Sequence, residues 1–205
     1  MLKVAVVGAS GATGRHVVAA ALERGHTVTA CVRRNVFAKR ERLTEAIWPD
    51  VDDTPALTDA LIDADVVIST LGGAASGPTT VCTDGIRTTL TAMRATGATR
   101  LIAVSAHGVL ETHDRSLYSL AVWAAVADRM RDKETMERLI VSSDLDWTIV
   151  RPPKLSNRPA TANTRIGTDL PIRVWSSIGR ADLAAFLIDE AETSCYVRAY
   201  PRITR

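Results

Sequence analysis

Three evenly spaced glycines carry the strongest chemical signal in the sequence. Gly8, Gly11 and Gly14 follow a short apolar run, and a helical pattern begins directly after them. In a turn between a strand and a helix, glycines let backbone N–H groups approach a pyrophosphate closely. We predict a dinucleotide-binding turn, with a purely structural turn as the alternative. The residues predicted to contact the cofactor here are Gly8, Ser10, Gly11, Ala12, Thr13 and Gly14.

Two arginines stand where nicotinamide-binding proteins distinguish NAD from NADP. Arg33 and Arg34 follow the predicted second strand, where an NAD-binding protein places an acidic residue for the ribose hydroxyls. Guanidinium groups suit a 2′-phosphate instead. We therefore predict NADP(H) as the cofactor, with Lys39 and Arg40 as further candidate cations. An ordinary solvated basic loop is the alternative.

Other candidates follow the later predicted strands. Ser105 is a predicted catalytic residue that would hydrogen-bond the nicotinamide or substrate, unless it only caps its strand. His107 would donate a proton near neutral pH, or else lies in a surface loop. The backbone candidates beside the cofactor are Leu71, Gly72, Gly73, Pro152 and Pro153. The alternative for Gly72-Gly73 is a flexible loop without a role in binding.

Strands that alternate with helices must position these residues. This order predicts an α/β fold: one Rossmann-like domain over residues 1–205, with a doubly wound parallel sheet, helices on both faces and substrate-side elements from about residue 151. The predicted strands are Leu2–Val7, Thr27–Val32, Ala46–Trp48, Ala64–Thr70, Arg100–Val104, Trp147–Val150, Ile172–Trp175 and Tyr196–Tyr200. The predicted helices are Arg15–Arg24, Thr54–Ile62 capped by Thr54, Thr79–Thr96 stopped by Gly97, Leu117–Ser142 and Arg180–Glu190, with one turn in Asn35–Arg42 and a loop over Asn157–Pro171.

Composition limits the classes of partner. The 205 residues carry a net charge of +2 with dispersed basic residues, which argues against a nucleic-acid partner. The most apolar stretch, Leu117–Ala127, is too short to cross a bilayer, and no signal peptide is recognised at the N-terminus. Three separated cysteines without metal spacing favour a cytoplasmic protein with reduced thiols. We predict a small-molecule acceptor as partner, and a monomer or a homodimer.

Several separated blocks resemble the atypical short-chain dehydrogenases/reductases, specifically the NAD(P)H-binding, NmrA-like proteins and, among these, the biliverdin reductase B/flavin reductase type. The similar blocks are the glycine turn, Val32–Arg34, Asp50-Val51, Val67–Gly72, Pro78–Val81 with Gly85, Ser142–Pro153 and Ile178–Ala184. The resemblance implies that Asp50 and Val51 contact adenine, although Trp48-Pro49 stands where the family commonly has glycine.

The chain departs from this family at its catalytic Tyr-x-x-x-Lys motif. Lys133 matches the lysine, but Arg129 occupies the tyrosine position four residues earlier. The resemblance implies that Lys133 is the second catalytic residue and holds the nicotinamide ribose hydroxyls, with a solvated helix lysine as the alternative. Tyr118 has no lysine four residues later and is interpreted as a packing residue. Reduction of an isolated carbonyl needs a positioned acid, and an arginine is a poor one.

This departure favours two functions. The first is an NADPH-dependent reductase of a planar conjugated acceptor, namely a flavin, a quinone or a tetrapyrrole such as biliverdin, because such an acceptor can take its proton from water. The second is a non-catalytic NADP(H) sensor that regulates a partner protein, as in the NmrA-like branch. A sugar-nucleotide epimerase ranks last, because the region after the sixth strand leaves little room for a substrate lobe.

Overall fold

A computed structural model describes residues 1–73, 77–161 and 163–205. Its strands are β1 (Lys3–Val7), β2 (Thr27–Val32), β3 (Leu43–Ile47), β4 (Val66–Ser69), β5 (Arg100–Val104), β6 (Asp146–Val150), β7 (Lys154–Ser156), β8 (Arg165–Gly167), β9 (Ser177–Gly179) and β10 (Arg202–Thr204). Its helices are α1 (Ala12–Glu23), α2 (Thr54–Ala60), α3 (Val81–Thr96), α4 (Leu117–Val141) and α5 (Arg180–Thr193), with a 3-10 turn at Leu110–Thr112.

The central sheet confirms the predicted Rossmann-like α/β fold. Its six strands run in the order β3-β2-β1-β4-β5-β6, and every neighbouring pair is parallel. The chain leaves β1 toward one edge and returns to β4 on the other side of β1, which makes the β1/β4 boundary the switch point. Ligands of such sheets bind in the crevice at this boundary, beyond the carboxyl ends of the strands.

Helices cover both faces of the sheet. α1 and α5 pack together on one face, over a core that includes Val17, Leu183 and Leu187. α2, α3 and α4 cover the other face, where Ile86 and Ile140 are fully buried. The inner strands are mainly apolar, because a parallel sheet covered on both faces has no solvent-facing side.

Several helix boundaries differ from the prediction. α1 begins at Ala12 instead of Arg15, so the glycine turn passes directly into the helix. α2 is capped by Asp53 and not by Thr54, because the Asp53 carboxylate accepts from the Ala56 N–H at 3.0 Å. Gly97 ends α3, as predicted, and it adopts the left-handed conformation. No helix forms within 35–42.

The segments after β6 differ most from the prediction. No strand forms at 172–175 or at 196–200, and short strands lie instead at β9 and β10. The predicted loop over 157–171 contains β8, which pairs antiparallel with β10; residue 162 of that loop lies outside the described residues. Backbone hydrogen bonds to neighbouring segments create these short strands, and side-chain periodicity over three residues does not reveal them.

Within the described ranges, no helix is both long and apolar enough to cross a membrane.

Candidate cofactor site

The glycine turn has the geometry that its spacing predicts. Gly8 has a φ of +80°, a conformation that side-chain-bearing residues rarely adopt. A Cβ on Gly14 would collide with the Gly8 carbonyl oxygen and lie 2.8 Å from the Ala9 Cα. The absence of a side chain at Gly14 therefore lets α1 pack against the end of β1.

The first turn of α1 is open to an anion. Gly11 is the N-cap residue, and within the described chain no side chain caps this end or places an acid in the first turn. The first N–H groups of a helix have no partner within the helix, and they carry its positive dipole end. A phosphate group at this position would complete their hydrogen bonding.

A cleft of about 470 Å³ lies at the switch point, and we call it the central cleft. Of the predicted cofactor residues, it is lined by Gly8, Ser10, Gly11, Arg33, Val51, Leu71 and Gly72. Gly73, a backbone candidate from the sequence, also lines it, and so do Cys31, Trp48, Thr70 and Val81, which were not predicted as cofactor contacts. Asp50 is exposed and is not among the lining residues, although its neighbour Val51 is.

Leu71 forms the wall of the central cleft. Its side chain packs into the space that a Cβ on Gly85 would occupy, and it also lies near Gly8. Trp48 is 4% exposed, and its Nε1 donates to the Asp53 carbonyl at 3.1 Å. These contacts hold an apolar surface in place beside the glycine turn, which suits a flat aromatic base.

A second cleft of about 450 Å³ adjoins the central cleft, and we call it the β2 cleft. It is lined by Ser10, Arg15, Arg33, Arg34 and Val36. Arg15 was not predicted as a site residue; its Nε donates to the Ser10 carbonyl at 3.1 Å, and its guanidinium lies over the Phe37 ring. Neither Lys39 nor Arg40 is among the residues that line this cleft.

Ser105 and Lys133 converge at the carboxyl end of β5. The Lys133 ammonium donates to the Val104 carbonyl at 2.9 Å. The Ser105 N–H donates to the Val150 carbonyl at 2.8 Å. The Ser105 hydroxyl is buried without a hydrogen-bond partner in the described part of the chain. A buried hydroxyl without a partner is costly, which points to a group that completes it when a ligand is bound.

His107 lies beside Ser105 and is 6% exposed, so its interpretation as a surface-loop residue is wrong. Its backbone N–H donates to the Pro152 carbonyl at 2.9 Å, which brings Pro152 next to the end of β5. Burial, followed by the Arg202 cation, lowers the pKa of His107 to about 4. At neutral pH the ring is therefore neutral and cannot act as an imidazolium acid.

Tyr118 packs in the interior, in agreement with its predicted role. It is 6% exposed, and its ring centroid lies 5.2 Å from that of His107. Burial raises the pKa of its hydroxyl to about 12, which makes it a weaker proton donor than an ordinary tyrosine. The α4 backbone is non-helical at Val126, so a kink separates Tyr118 from Lys133.

Buried ionic contacts fix α4 beneath the site. Arg151, which directly precedes Pro152, is 1% exposed and bonds both oxygens of Glu137, at 3.1 and 2.5 Å. It also pairs with Glu111 from the 3-10 turn. A buried guanidinium needs such complete pairing. The cluster ties the end of β6 to α4, the helix that carries Lys133.

Comparisons with known proteins agree with this geometry. A family profile described as NAD(P)H-binding matches residues 8–194. The chain is 30% identical to UPF0659 protein YMR090W of Saccharomyces cerevisiae, over 92% of this chain and 86% of that protein. It is 29% identical to the uncharacterized sugar epimerase YhfK of Bacillus subtilis, over 94% and 90% of the two chains. Among solved structures, ChuY, an anaerobillin reductase from Escherichia coli O157:H7, superposes with a TM-score of 0.81 at 22% identity, over 98% and 96% of the two chains.

Proposed function

The chain belongs to the NAD(P)H-binding family, and from that premise we propose that it is an NADPH-dependent reductase of a planar conjugated acceptor. The acceptor classes are flavins, quinones and tetrapyrroles such as biliverdin. The observation that carries the proposal is that Ser105 and the Lys133 ammonium lie at the end of β5, whereas an arginine, residue 129, occupies the position of the family's tyrosine. The site keeps groups that orient a nicotinamide but lacks the usual acid.

The two adjoining clefts support NADP(H) as the cofactor. The central cleft offers the open end of α1 to a pyrophosphate and an apolar wall to the adenine. The β2 cleft would hold the 2′-phosphate with Arg15, Arg33 and Arg34, because guanidinium groups bind phosphate with two hydrogen bonds each. Among the described residues, no acidic side chain lines this cleft to bind the ribose hydroxyls of NAD in place of the phosphate.

The residues at the end of β5 would orient the reacting groups. A bound reduced nicotinamide supplies a hydride, which is two electrons and one proton. The Ser105 hydroxyl would donate to the nicotinamide or acceptor, and Lys133, held by the Val104 carbonyl, would bind the ribose hydroxyls. Neutral His107 supplies no imidazolium proton, so the remaining proton comes from water. A conjugated acceptor permits this because the added electrons are delocalised.

The fold of ChuY adds support for a tetrapyrrole among these acceptors, because that protein of similar fold is an anaerobillin reductase. We likewise propose a relation to the biliverdin reductase B type, on the basis of the glycine turn, Ser142–Pro153 and the other similar sequence blocks.

The test is NADPH oxidation by the purified protein with FMN, a quinone or biliverdin as acceptor, followed by the absorbance of the reduced nicotinamide. We expect at least one acceptor to accelerate oxidation well above the rate in buffer. Ser105→Ala should lower kcat, whereas Ser142→Ala, an exposed serine at the end of α4, should not. Failure of every acceptor to accelerate oxidation contradicts the reductase proposal.

The missing tyrosine also favours a second function, an NADP(H)-binding sensor without turnover. Under this alternative, NADPH binds tightly but is not oxidised with any acceptor. Calorimetric titration with NADPH, combined with the oxidation assay, separates the two functions. Rapid turnover with any acceptor contradicts the sensor.

A further inference from the structure

A third cleft, of about 510 Å³, lies among the short C-terminal strands, and we call it the C-terminal cleft. In the described part of the chain, it shares no lining residue with the central cleft or the β2 cleft. Arg165 of β8, Arg173, Trp175 and Arg205 line it together with smaller polar residues and Pro171. The proposed reductase reaction assigns no role to any of these side chains.

The lining of the C-terminal cleft is cationic. It contains three guanidinium groups and, among the described residues, no acidic side chain. None of the three guanidinium groups takes part in an ion pair within the described ranges. The Arg205 Nε donates a 3.3 Å hydrogen bond to the Thr161 hydroxyl. Like charges around one concavity repel each other and raise the local concentration of anions. A bound carboxylate or phosphate would relieve this repulsion.

The same cleft presents a flat aromatic surface. Trp175 is 73% exposed, and the Arg173 guanidinium lies 5.5 Å from its ring centroid. The turn that carries Trp175 is closed by two hydrogen bonds: the Ser176 N–H donates to the Arg173 carbonyl at 2.8 Å, and the Arg173 N–H donates to the Ser176 hydroxyl at 3.0 Å. The indole therefore stands on a fixed turn, where a planar ring can stack on it.

The C-terminal cleft lies on the carboxyl-end side of the sheet. Arg202, the first residue of β10, forms a parallel bridge with Arg151 at the end of β6. The Arg202 side chain donates to the Leu170 carbonyl at 3.0 Å, directly before the lining residue Pro171. Thr204, two residues further along β10, lines the cleft itself. Ligands of parallel sheets bind on this side.

We propose that the C-terminal cleft binds a planar aromatic molecule that carries carboxylate or phosphate groups. The aromatic part stacks on Trp175, and Arg165, Arg173 and Arg205 pair with the anionic groups. Binding at the C-terminal cleft does not depend on whether the protein catalyses NADPH oxidation.

The test compares FMN with riboflavin, which has the same ring system but no phosphate. Binding is followed by quenching of the flavin fluorescence, with saturating NADP⁺ present to occupy the cofactor site. We expect saturable FMN binding, and riboflavin binding weaker by about tenfold or more, the effect of roughly one strong ionic contact. Biliverdin and its dimethyl ester form a second matched pair, followed by their absorbance, in which carboxylates replace the phosphate.

Two variants locate the binding. Arg165→Ala combined with Arg173→Ala should weaken FMN by at least about tenfold and leave riboflavin nearly unchanged. Trp175→Ala should weaken both flavins. The control removes two exposed arginines elsewhere, Arg94→Ala with Arg138→Ala, and should leave FMN binding unchanged. Melting temperatures equal to wild type verify that each variant folds.

Three results would overturn the proposal: equal affinity for both members of each pair, FMN binding unaffected by the Arg165/Arg173 double variant, or no saturable binding of either FMN or biliverdin. Because the binding assay involves no turnover, it is independent of the reductase test. FMN binding without NADPH oxidation contradicts only the reductase, and oxidation without binding at this cleft contradicts only the inference made here.

Discussion

His107 shows how burial changes the chemistry of a single residue. From sequence alone, its position two residues after Ser105 allows either a proton donor or a surface-loop residue. In the structure it is buried beside Tyr118, and its Nδ1 has no hydrogen-bond partner within the described residues. Desolvation disfavours the charged imidazolium, so the pKa falls to about 4.

This shift predicts an acid-dependent loss of stability. Between about pH 6.5 and pH 4 the unfolded chain binds a proton at His107 and the folded chain does not, so the free energy of unfolding falls as the pH decreases through this range. We expect His107→Gln to remove about 1–3 kcal/mol of that fall. Urea unfolding at about pH 7 and about pH 4.5 measures it.

The control for His107 is His16→Gln, which changes an exposed histidine on α1. It should leave the pH dependence as in the wild type. An identical fall in the wild type and the His107 variant would contradict the proposed origin of the acid sensitivity.

Arg15 is a residue of the β2 cleft that the glycine motif does not predict. It directly follows Gly14, so the sequence places it in the first turn of the predicted helix or just before it. Its hydrogen bond to the Ser10 carbonyl and its contact with Phe37 depend on how the loop after β2 folds back over α1. The signal that could have found it is an arginine directly after the last glycine.

At the scale of elements, the start of α3 is set by a distant helix. Asp132 of α4 accepts hydrogen bonds from the backbone N–H groups of Cys82 and Thr83, at 2.9 and 2.8 Å, and from the Thr83 hydroxyl at 2.7 Å. The N-cap residue Thr80 makes no side-chain cap of its own. The helix therefore begins at Val81, two residues after the predicted start at Thr79.

The cap supplied by Asp132 predicts a large effect on stability. Asp132→Ala leaves buried N–H groups without an acceptor, so we expect the free energy of unfolding to fall by about 2–3 kcal/mol. Asp132→Asn keeps one carbonyl acceptor and should cost less. Equilibrium urea unfolding measures both variants. The control, Asp128→Ala, removes an exposed ion pair with Arg131 and should cost about 0.5 kcal/mol or less; an equally small loss for Asp132→Ala would disprove the capping role.

The kink in α4 is a second property of a whole element that the sequence pattern does not predict. The apolar pattern predicts one helix over 117–142, and the structure has a single element with a non-helical residue at Val126. The first half is held by the loop after β5, since the Trp123 Nε1 donates to the Gly108 carbonyl at 2.8 Å and its ring stacks on His113. Helical periodicity alone cannot reveal a break that long-range contacts impose.

At the scale of the whole molecule, the sheet order brings several of the predicted cofactor residues to one edge of the sheet. The ends of β1, β2 and β4 meet there, and the β2 cleft adds its arginines to the same concavity. A ligand that binds only the folded state stabilises it, by about 2.7 kcal/mol at a concentration of 100 times Kd.

This linkage predicts a difference between the two nicotinamide cofactors. We expect NADPH to raise the melting temperature more than NADH at equal concentration. Arg33→Ala with Arg34→Ala should weaken NADPH by about tenfold, close to 1.4 kcal/mol, and leave NADH nearly unchanged. Thermal unfolding with each cofactor measures this, with the Arg94/Arg138 double variant as control. An equal loss for both cofactors would contradict the assignment of a 2′-phosphate site.

The sequence by itself determined the alternating strands and helices, the glycine turn and the residues that follow β5. These are local properties, since apolar periodicity and the backbone freedom of glycine act within a few residues. The right-handed crossovers of parallel strands fix the hand of each connection, but they leave the strand order of the sheet open.

Only the tertiary structure decided which side chains share a cleft and which polar groups are buried. Arg15 joining Arg33, Asp132 capping α3, the neutral state of His107 and the C-terminal cleft all depend on contacts between segments far apart in the chain. The short strands β8 and β10 arise in the same way, because each pairs with the other across more than thirty residues. Burial and pairing are properties of the packed chain, and no short window of sequence contains them.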